Sequence, residues 1–227
     1  MIYVGIFFIC IIVLCILFKV RIHIKSFFKR GYLAKRGPYG TRVYSGVQGS
    51  GKTTSLATFI YDNRNKIFLF SNVDFRDPIQ YIKFNGFEGL IEMKNRIDSD
   101  YYDIGNKQIV IVFDELFTEL TRGSKLSTEV LDFLCQLRKR KILFLTTCQS
   151  WNDLPIQFRR LCRYNIKCKL IPLGITSIHF NEVQDAENMK WDEIAQDFVA
   201  PTCWTDLYKT RKVVGNLFDT NQRITTS

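Results

Sequence analysis

Continuous apolar runs, rather than strict alternation, dominate the hydrophobic pattern of this chain. The longest, Ile2 to Phe18, carries no charge over 17 residues. At about 1.5 Å of rise per helical residue it reaches the short end of what crosses a hydrocarbon core. It lacks the basic start and small-residue cleavage site of a removable leader, so a retained transmembrane helix over residues 1–18 is expected. Shorter apolar runs recur at Ile67 to Phe70, at Ile109 to Phe113 and in the buried strand expected over Ile142 to Cys148, while Thr41 to Ser45 reads as a short strand. A short run that is apolar at every position is how a strand reads when both sheet faces are covered, which points to a mainly parallel sheet.

Segments with helical spacing lie between these runs. Thr54 to Ile60 reads as a helix, and a short one is expected around Leu90 to Ile97 after a loop at Gly86 to Leu90. Val130, Leu131, Leu134 and Leu137 recur at helical intervals and predict a helix over Leu126 to Lys141. Arg122-Gly123-Ser124 reads as a loop before it. Leu170 to Val183 reads as two strands about a turn at Gly174, Ala186 to Phe198 as an amphipathic helix, and Lys212 to Val214 as strand-like. The pattern is that of an α/β domain over residues 41–227 with a C-terminal extension.

The formal charge of +10 at first suggests nucleic acid, but its distribution changes that picture. No acid precedes Asp62, whereas nine basic residues do, and the remaining 23 basic residues face 22 acidic ones. The excess therefore belongs to the N-terminal segment. Lys19 to Arg42 carries eight basic residues and no acid. By the positive-inside rule this puts the domain in the cytoplasm, and the same stretch suits anionic lipid head groups. Residues 19–40, with Gly31, Gly37-Pro38 and Gly40, form the linker. Seven cysteines without a C-x-x-C pair, and only two histidines, give no zinc spacing and no support for a cysteine protease.

The chemistry is concentrated in Gly46-Val47-Gln48-Gly49-Ser50-Gly51-Lys52-Thr53-Thr54, which fits G-x-x-x-x-G-K-[ST] without mismatch. Glycines at this spacing let backbone N–H groups ring a phosphate, and a helix N-terminus adds partial positive charge. Lys52 would reach the outer phosphates and the Thr53 hydroxyl would ligate Mg2+. A second element sits downstream, where the Ile109 to Phe113 run ends in Asp114-Glu115. Asp114 suits a water-mediated hold on Mg2+, and Glu115 suits polarising the attacking water. The run Ile142 to Cys148 ends at Gln149, a polar residue fit to sense the terminal phosphate or orient that water. Pro155 to Lys169 holds Arg159, Arg160, Arg163, Lys167 and Lys169 without an acid. It is open to reading as a solvated face, an inter-subunit arginine finger or a contact to nucleic-acid phosphates.

This succession resembles the FtsK-HerA superfamily of P-loop motor ATPases, in which a strand-end Gln follows the two acids. Within it the chain is similar to the Zot-like proteins, the filamentous-phage assembly ATPases. The resemblance is carried by Gly46 to Thr53, Ser71-Asn72-Val73, Phe113-Asp114-Glu115, Leu137-Arg138, Thr147-Cys148-Gln149 and, more weakly, Tyr208 with Phe218-Asp219-Thr220. It implies a RecA/FtsK-HerA-like fold and an ATP- and Mg2+-dependent, membrane-associated, hexameric ATPase. Viral DNA and phage coat or assembly proteins would be its partners, and the host inner membrane its location. Lys52 and Thr53 would carry nucleotide and metal, Asp114 and Glu115 metal and water, and Gln149 the sensor role. A trans-acting arginine would come from Arg138, Arg140, Arg159 or Arg160. Many Zot-like proteins place the membrane segment after the ATPase domain, whereas here it precedes it. Viral DNA-packaging ATPases are thus a close alternative. Cellular translocases, a nucleotide-binding membrane scaffold and small-substrate kinases are weaker ones.

Overall fold

Both faces of the apolar runs are indeed covered, and the alternation of side chains along a single strand shows how. The computed structural model describes residues 39–116, 126–173, 176–194 and 196–217. Along β4 (Gln108–Phe113), Val110 and Val112 face one hydrophobic cluster while Ile111 and Phe113 face another. The first cluster is completed by Leu56, Ala57 and Ile60 of α1 (Lys52–Asn63). The second takes Leu90 and Met93 of α2 (Gly86–Asp98) with Val130, Phe133 and Leu134 of α3 (Thr128–Gln136). Val110 to Phe113 are thereby removed from water on both faces, the condition for a fully apolar run.

The remaining parallel strands are β1 (Gly40–Ser45), β2 (Ile67–Ser71), the two-residue β3 (Ile82–Lys83), β5 (Leu143–Cys148) and β6 (Cys162–Leu173). They are joined by β7 (Thr176–Asp185) and β10 (Thr202–Lys209), which pair antiparallel. The eight-stranded sheet runs β10-β7-β6-β1-β5-β4-β2-β3. A separate two-stranded sheet pairs β8 (Lys190–Asp192) with β9 (Asp197–Val199).

Several expectations are corrected. Gly86 and Gly89 lie inside α2, which starts four residues before the predicted loop ends. Helix α3 stops at Gln136 instead of Lys141, and two of the basic residues beyond it, Arg138 and Arg140, are drawn to acids on other elements. Arg140 pairs with Asp98, whose carboxyl it holds below the usual range, and Arg138 Nη2 donates to Glu187 Oε1 at 2.6 Å. Ala186 to Phe198 is not a helix. A 3-10 turn at Ala186–Asn188 leads into the β8–β9 hairpin, where Trp191 and Phe198 meet edge to face at 5.4 Å. Their packing outweighs the helical spacing. Lys212 to Val214 is helical, within the one-turn α5 (Lys212–Gly215), because Val214 is the only one of the three that is buried.

The predicted transmembrane segment, the basic linker as far as Pro38, the Arg122-Gly123-Ser124 loop, Gly174 and the Phe218-Asp219-Thr220 stretch lie outside the described residues. Among the described residues no helix is long and apolar enough to cross a membrane.

Candidate active site

The G-x-x-x-x-G-K-[ST] segment forms a tight loop between β1 and α1, held by its own lysine. Lys52 Nζ donates to the carbonyl of Gly46 at 2.8 Å and to that of Val47 at 3.1 Å, while the Ser50 N–H reaches the Val47 carbonyl at 3.1 Å. Two glycines are fixed by close approach. At Gly46 (φ 150°) a Cβ would stand 2.5 Å from Ser50 Oγ and 2.8 Å from the Cys168 carbonyl oxygen. At Gly51 (φ 81°) it would stand 2.6 Å from His179 Cε1. Gly51 caps α1 in a left-handed conformation with no side-chain cap, so the first N–H groups of the helix keep no intrahelical partner.

These features fit an anion. Val47, Gln48 and Gly49 are exposed at the tip, Ser50 Oγ is buried without a hydrogen-bond partner in the structure, and the helix start supplies partial positive charge. Thr53 and Thr54 follow in the first turn of α1, both partly exposed.

The acids reach the same edge of the sheet. Ser45 pairs with Cys148 across β1 and β5, and Phe113 with Thr146 across β5 and β4. Gly46, Gln149 and Asp114 therefore leave three neighbouring parallel strands at their carboxyl ends, the edge where open α/β sheets bind ligands. Asp114 is only 8% exposed. Burial raises its carboxyl to about 6, opposed by the hydrogen bond from Thr147 and by the positive charge of Lys52, so lysine and acid share one electrostatic environment. Its donor set, a buried carboxylate hydrogen-bonded by the Thr147 hydroxyl, suits a hard cation such as Mg2+. Glu115 is exposed, with a left-handed backbone (φ 51°) that turns the chain out of β4. Gln149 is exposed at the bend that follows β5.

Two residues that fix this arrangement gave little signal as site residues. Thr147 Oγ1 donates to Asp114 Oδ1 at 2.5 Å and accepts the Glu115 N–H at 3.0 Å. Asn72, just past β2, brackets the backbone of Asp114, its Oδ1 accepting from Asp114 N at 2.8 Å and its Nδ2 donating to Asp114 O at 3.1 Å. Both stand in the strand-end tripeptides that carry the family resemblance, where position at a carboxyl end was the only clue.

The arginines lie elsewhere. Arg138 Cγ is 3.5 Å from where a Gly40 Cβ would stand, at the start of β1. Arg159 and Arg160 end α4 (Ile156–Arg159) just before Cys162, which pairs with Thr41 near that same end. Within one chain they sit at the amino edge of the sheet, opposite the phosphate loop. The basic segment is also less uniform than its sequence. The Arg159 guanidinium lies 5.1 Å from the Phe198 ring centroid, Arg163 Nη1 donates to the Tyr39 carbonyl at 3.2 Å, and Lys167 pairs with Asp197 at 2.6 Å.

The N-terminal domain of zonular occludens toxin from Neisseria meningitidis superposes over 79% of this chain and 98% of its own, with a TM-score of 0.53 at 17% identity. The chain has a P-loop NTPase fold. More distant likenesses include the genome packaging NTPase B204 of Sulfolobus turreted icosahedral virus 2, solved with sulfate (TM-score 0.46, 16% identity, 61% of this chain and 76% of that one). The flagellar accessory protein FlaH of Methanocaldococcus jannaschii is another (TM-score 0.46, 15% identity, 78% and 95%). No family model and no curated protein matches the sequence.

Proposed function

We propose that this chain is a membrane-anchored ATP-hydrolysing motor for phage virion assembly and DNA extrusion, working as a ring of identical copies. The observation that carries the reading is the convergence of the Gly46 to Thr54 loop, Asp114, Glu115 and Gln149 on one sheet edge. A scaffold that held nucleotide only as a structural ligand would have no use for two strand-end acids clamped by Thr147 and Asn72.

In this reading the loop amides and Lys52 bind the phosphates of ATP, and Thr53 with Asp114 holds Mg2+. When bound, the cation would neutralise charge on the phosphoryl oxygens. Glu115 takes a proton from the attacking water, whose oxygen bonds to the terminal phosphorus as the bond to the ADP oxygen breaks. Gln149 orients that water. The apolar segment at residues 2–18, followed by eight basic residues, supports an anchor in the host inner membrane with the domain on the cytoplasmic side. Viral DNA and coat or assembly proteins are the proposed partners.

Steady-state hydrolysis by the full chain in detergent or liposomes tests this. Lys52→Ala is expected to abolish turnover, and Glu115→Gln to stop turnover while ATP still binds. Wild-type turnover in the lysine variant would remove the nucleotide-site assignment.

A further inference from the structure

A buried polar chain lies directly beneath the phosphate loop and plays no part in the chemistry above. His179 on β7 is 1% exposed. Its ring lies against Gly51 so closely that an added Cβ there would stand 2.6 Å from Cε1 and 2.9 Å from Nδ1. Tyr208 of β10 stacks on the imidazole, with centroids 5.0 Å apart and planes 10° from parallel. His179 Nδ1 lies 3.3 Å from Ser55 Oγ in the first turn of α1. Asn181 Nδ2 donates to Ser55 Oγ at 3.1 Å and to the Tyr208 hydroxyl at 3.0 Å. Three side chains of the antiparallel strands thus grip the residue that opens α1 and the turn that follows it.

Packing alone does not explain the choice of residue. His179 Nε2 is buried and finds no hydrogen-bond partner in the structure. An unpaired buried nitrogen costs stability that an aliphatic side chain of similar volume would avoid. The imidazole contributes a flat, rigid surface wedged between the Tyr208 ring and a residue that has no side chain of its own. Any larger residue at position 51 would displace it. The left-handed Gly51 conformation aims the first N–H groups of α1 and sets the base of Lys52, so a support that fixes Gly51 fixes the phosphate donors.

We infer that His179 is a positioning residue of the phosphate loop, holding Gly51 and the first turn of α1 in the phosphate-binding conformation from the adjoining antiparallel strands. The inference rests on the reading of that loop as an ATP site. Because the loop would hold phosphates alike in ground and transition states, losing its support weakens uniform binding. The effect falls on KM more than on kcat.

The experiment uses the full chain, with ATP concentration series and thermal melting for each variant. His179→Ala is expected to raise KM for ATP about tenfold or more while kcat stays within about threefold, at a temperature where melting shows the variant folded. His179→Asn, which keeps a polar atom near the Nδ1 position facing Ser55, should be intermediate. A KM within about twofold of wild type in a folded His179→Ala protein overturns the inference. Should that variant fail to fold, Ser55→Ala and His179→Asn carry the test. A raised KM in both supports the inference, and an unchanged KM in both overturns it.

The chain has only two histidines, so the His179 imidazole is also a resolvable NMR probe. Its ring proton resonance should move on ADP addition, and a static resonance at saturation counts against the role. If the wild-type chain neither binds nor hydrolyses ATP, the nucleotide reading falls and takes this inference with it. If wild type is active and the variants match it, only the inference falls.

Discussion

Thr147 and Asp114 are joined side chain to side chain at 2.5 Å, and the same threonine oxygen receives the Glu115 N–H at 3.0 Å. One hydroxyl thereby orients a buried acid and the backbone of its neighbour. Thr147→Val preserves shape at a position 1% exposed but removes both bonds. It is expected to lower ATP turnover about 10- to 100-fold with ATP affinity within about threefold, because the lost contacts orient the groups assigned to the metal and the attacking water, whereas the loop amides and Lys52 hold the phosphates. Leaving the Asp114 oxygen unpaired should also cost about 1–3 kcal/mol of stability. Thr147→Ser should recover most of both effects. Steady-state kinetics, nucleotide binding and chemical denaturation on the three proteins measure them, and a valine variant with wild-type turnover would exclude the orienting role.

Asp114 is expected to stabilise the protein when it is neutralised, the reverse of its effect on activity. Burial raises its carboxyl to about 6 in the folded chain, above its ordinary value of 3.8. The folded state therefore holds its proton more tightly than the unfolded chain. Stability is lost as pH rises between those two values, and the full penalty applies above about 6. Asp114→Asn removes the penalty and can still accept the Thr147 hydrogen bond. The nucleotide-free variant should gain about 1–3 kcal/mol at pH 8, little or nothing at pH 4, and hydrolyse no ATP. Denaturation at the two pH values decides. A variant less stable than wild type at pH 8 would show that the carboxylate is already compensated.

Gly46 is held by neighbours that cannot retreat far. An added methyl would meet Ser50 Oγ at 2.5 Å and, on its other side, the backbone oxygen of Cys168 at 2.8 Å. Ser50 can rotate, but the carbonyl belongs to β6, which is paired along β1 as far as Lys167. Gly46→Ala is therefore expected to push the loop off β6, with ATP affinity reduced at least about tenfold and a stability loss of about 1–3 kcal/mol. Equilibrium nucleotide binding with thermal melting would show it, and full affinity would mean that the loop finds the same shape another way.

How much of this was readable beforehand depended on whether a feature is local. The phosphate loop, the acids after β4 and the Gln after β5 are strand-end signals, visible because a fully apolar run marks a doubly covered strand and its last residue marks the edge. The order of β1, β5 and β4 in the sheet brings these strand ends to one edge. Ala186 to Phe198 has helical spacing, yet it forms the β8–β9 hairpin, in which Trp191 meets Phe198 across the strands. His179 was invisible for a related reason. It is a lone histidine in a strand, and only the pairing of β7 with β6, two strands from β1, brings it under Gly51. Asn72 and Thr147 fall between these cases, quoted as part of motifs but given a task only by contacts across strands.

Arg138, Arg159 and Arg160 lie at the amino edge of the sheet, away from their own phosphate loop, so any of them that contacts a terminal phosphate does so in a neighbouring copy. Arg138 is held by Glu187, and Arg159 lies over the ring of Phe198, whereas Arg160 is exposed at the end of α4. Arg160→Ala is thus expected to bind ATP normally and lose about 1000-fold in turnover, the scale of a missing arginine finger. Mixing it with inactive Lys52→Ala protein should restore part of the activity, because each lysine variant still offers its arginine to an intact loop next door. Activity plotted against mixing ratio should pass through a maximum. A mixture no more active than its components would place the acting arginine elsewhere or show that neighbouring copies do not share the site.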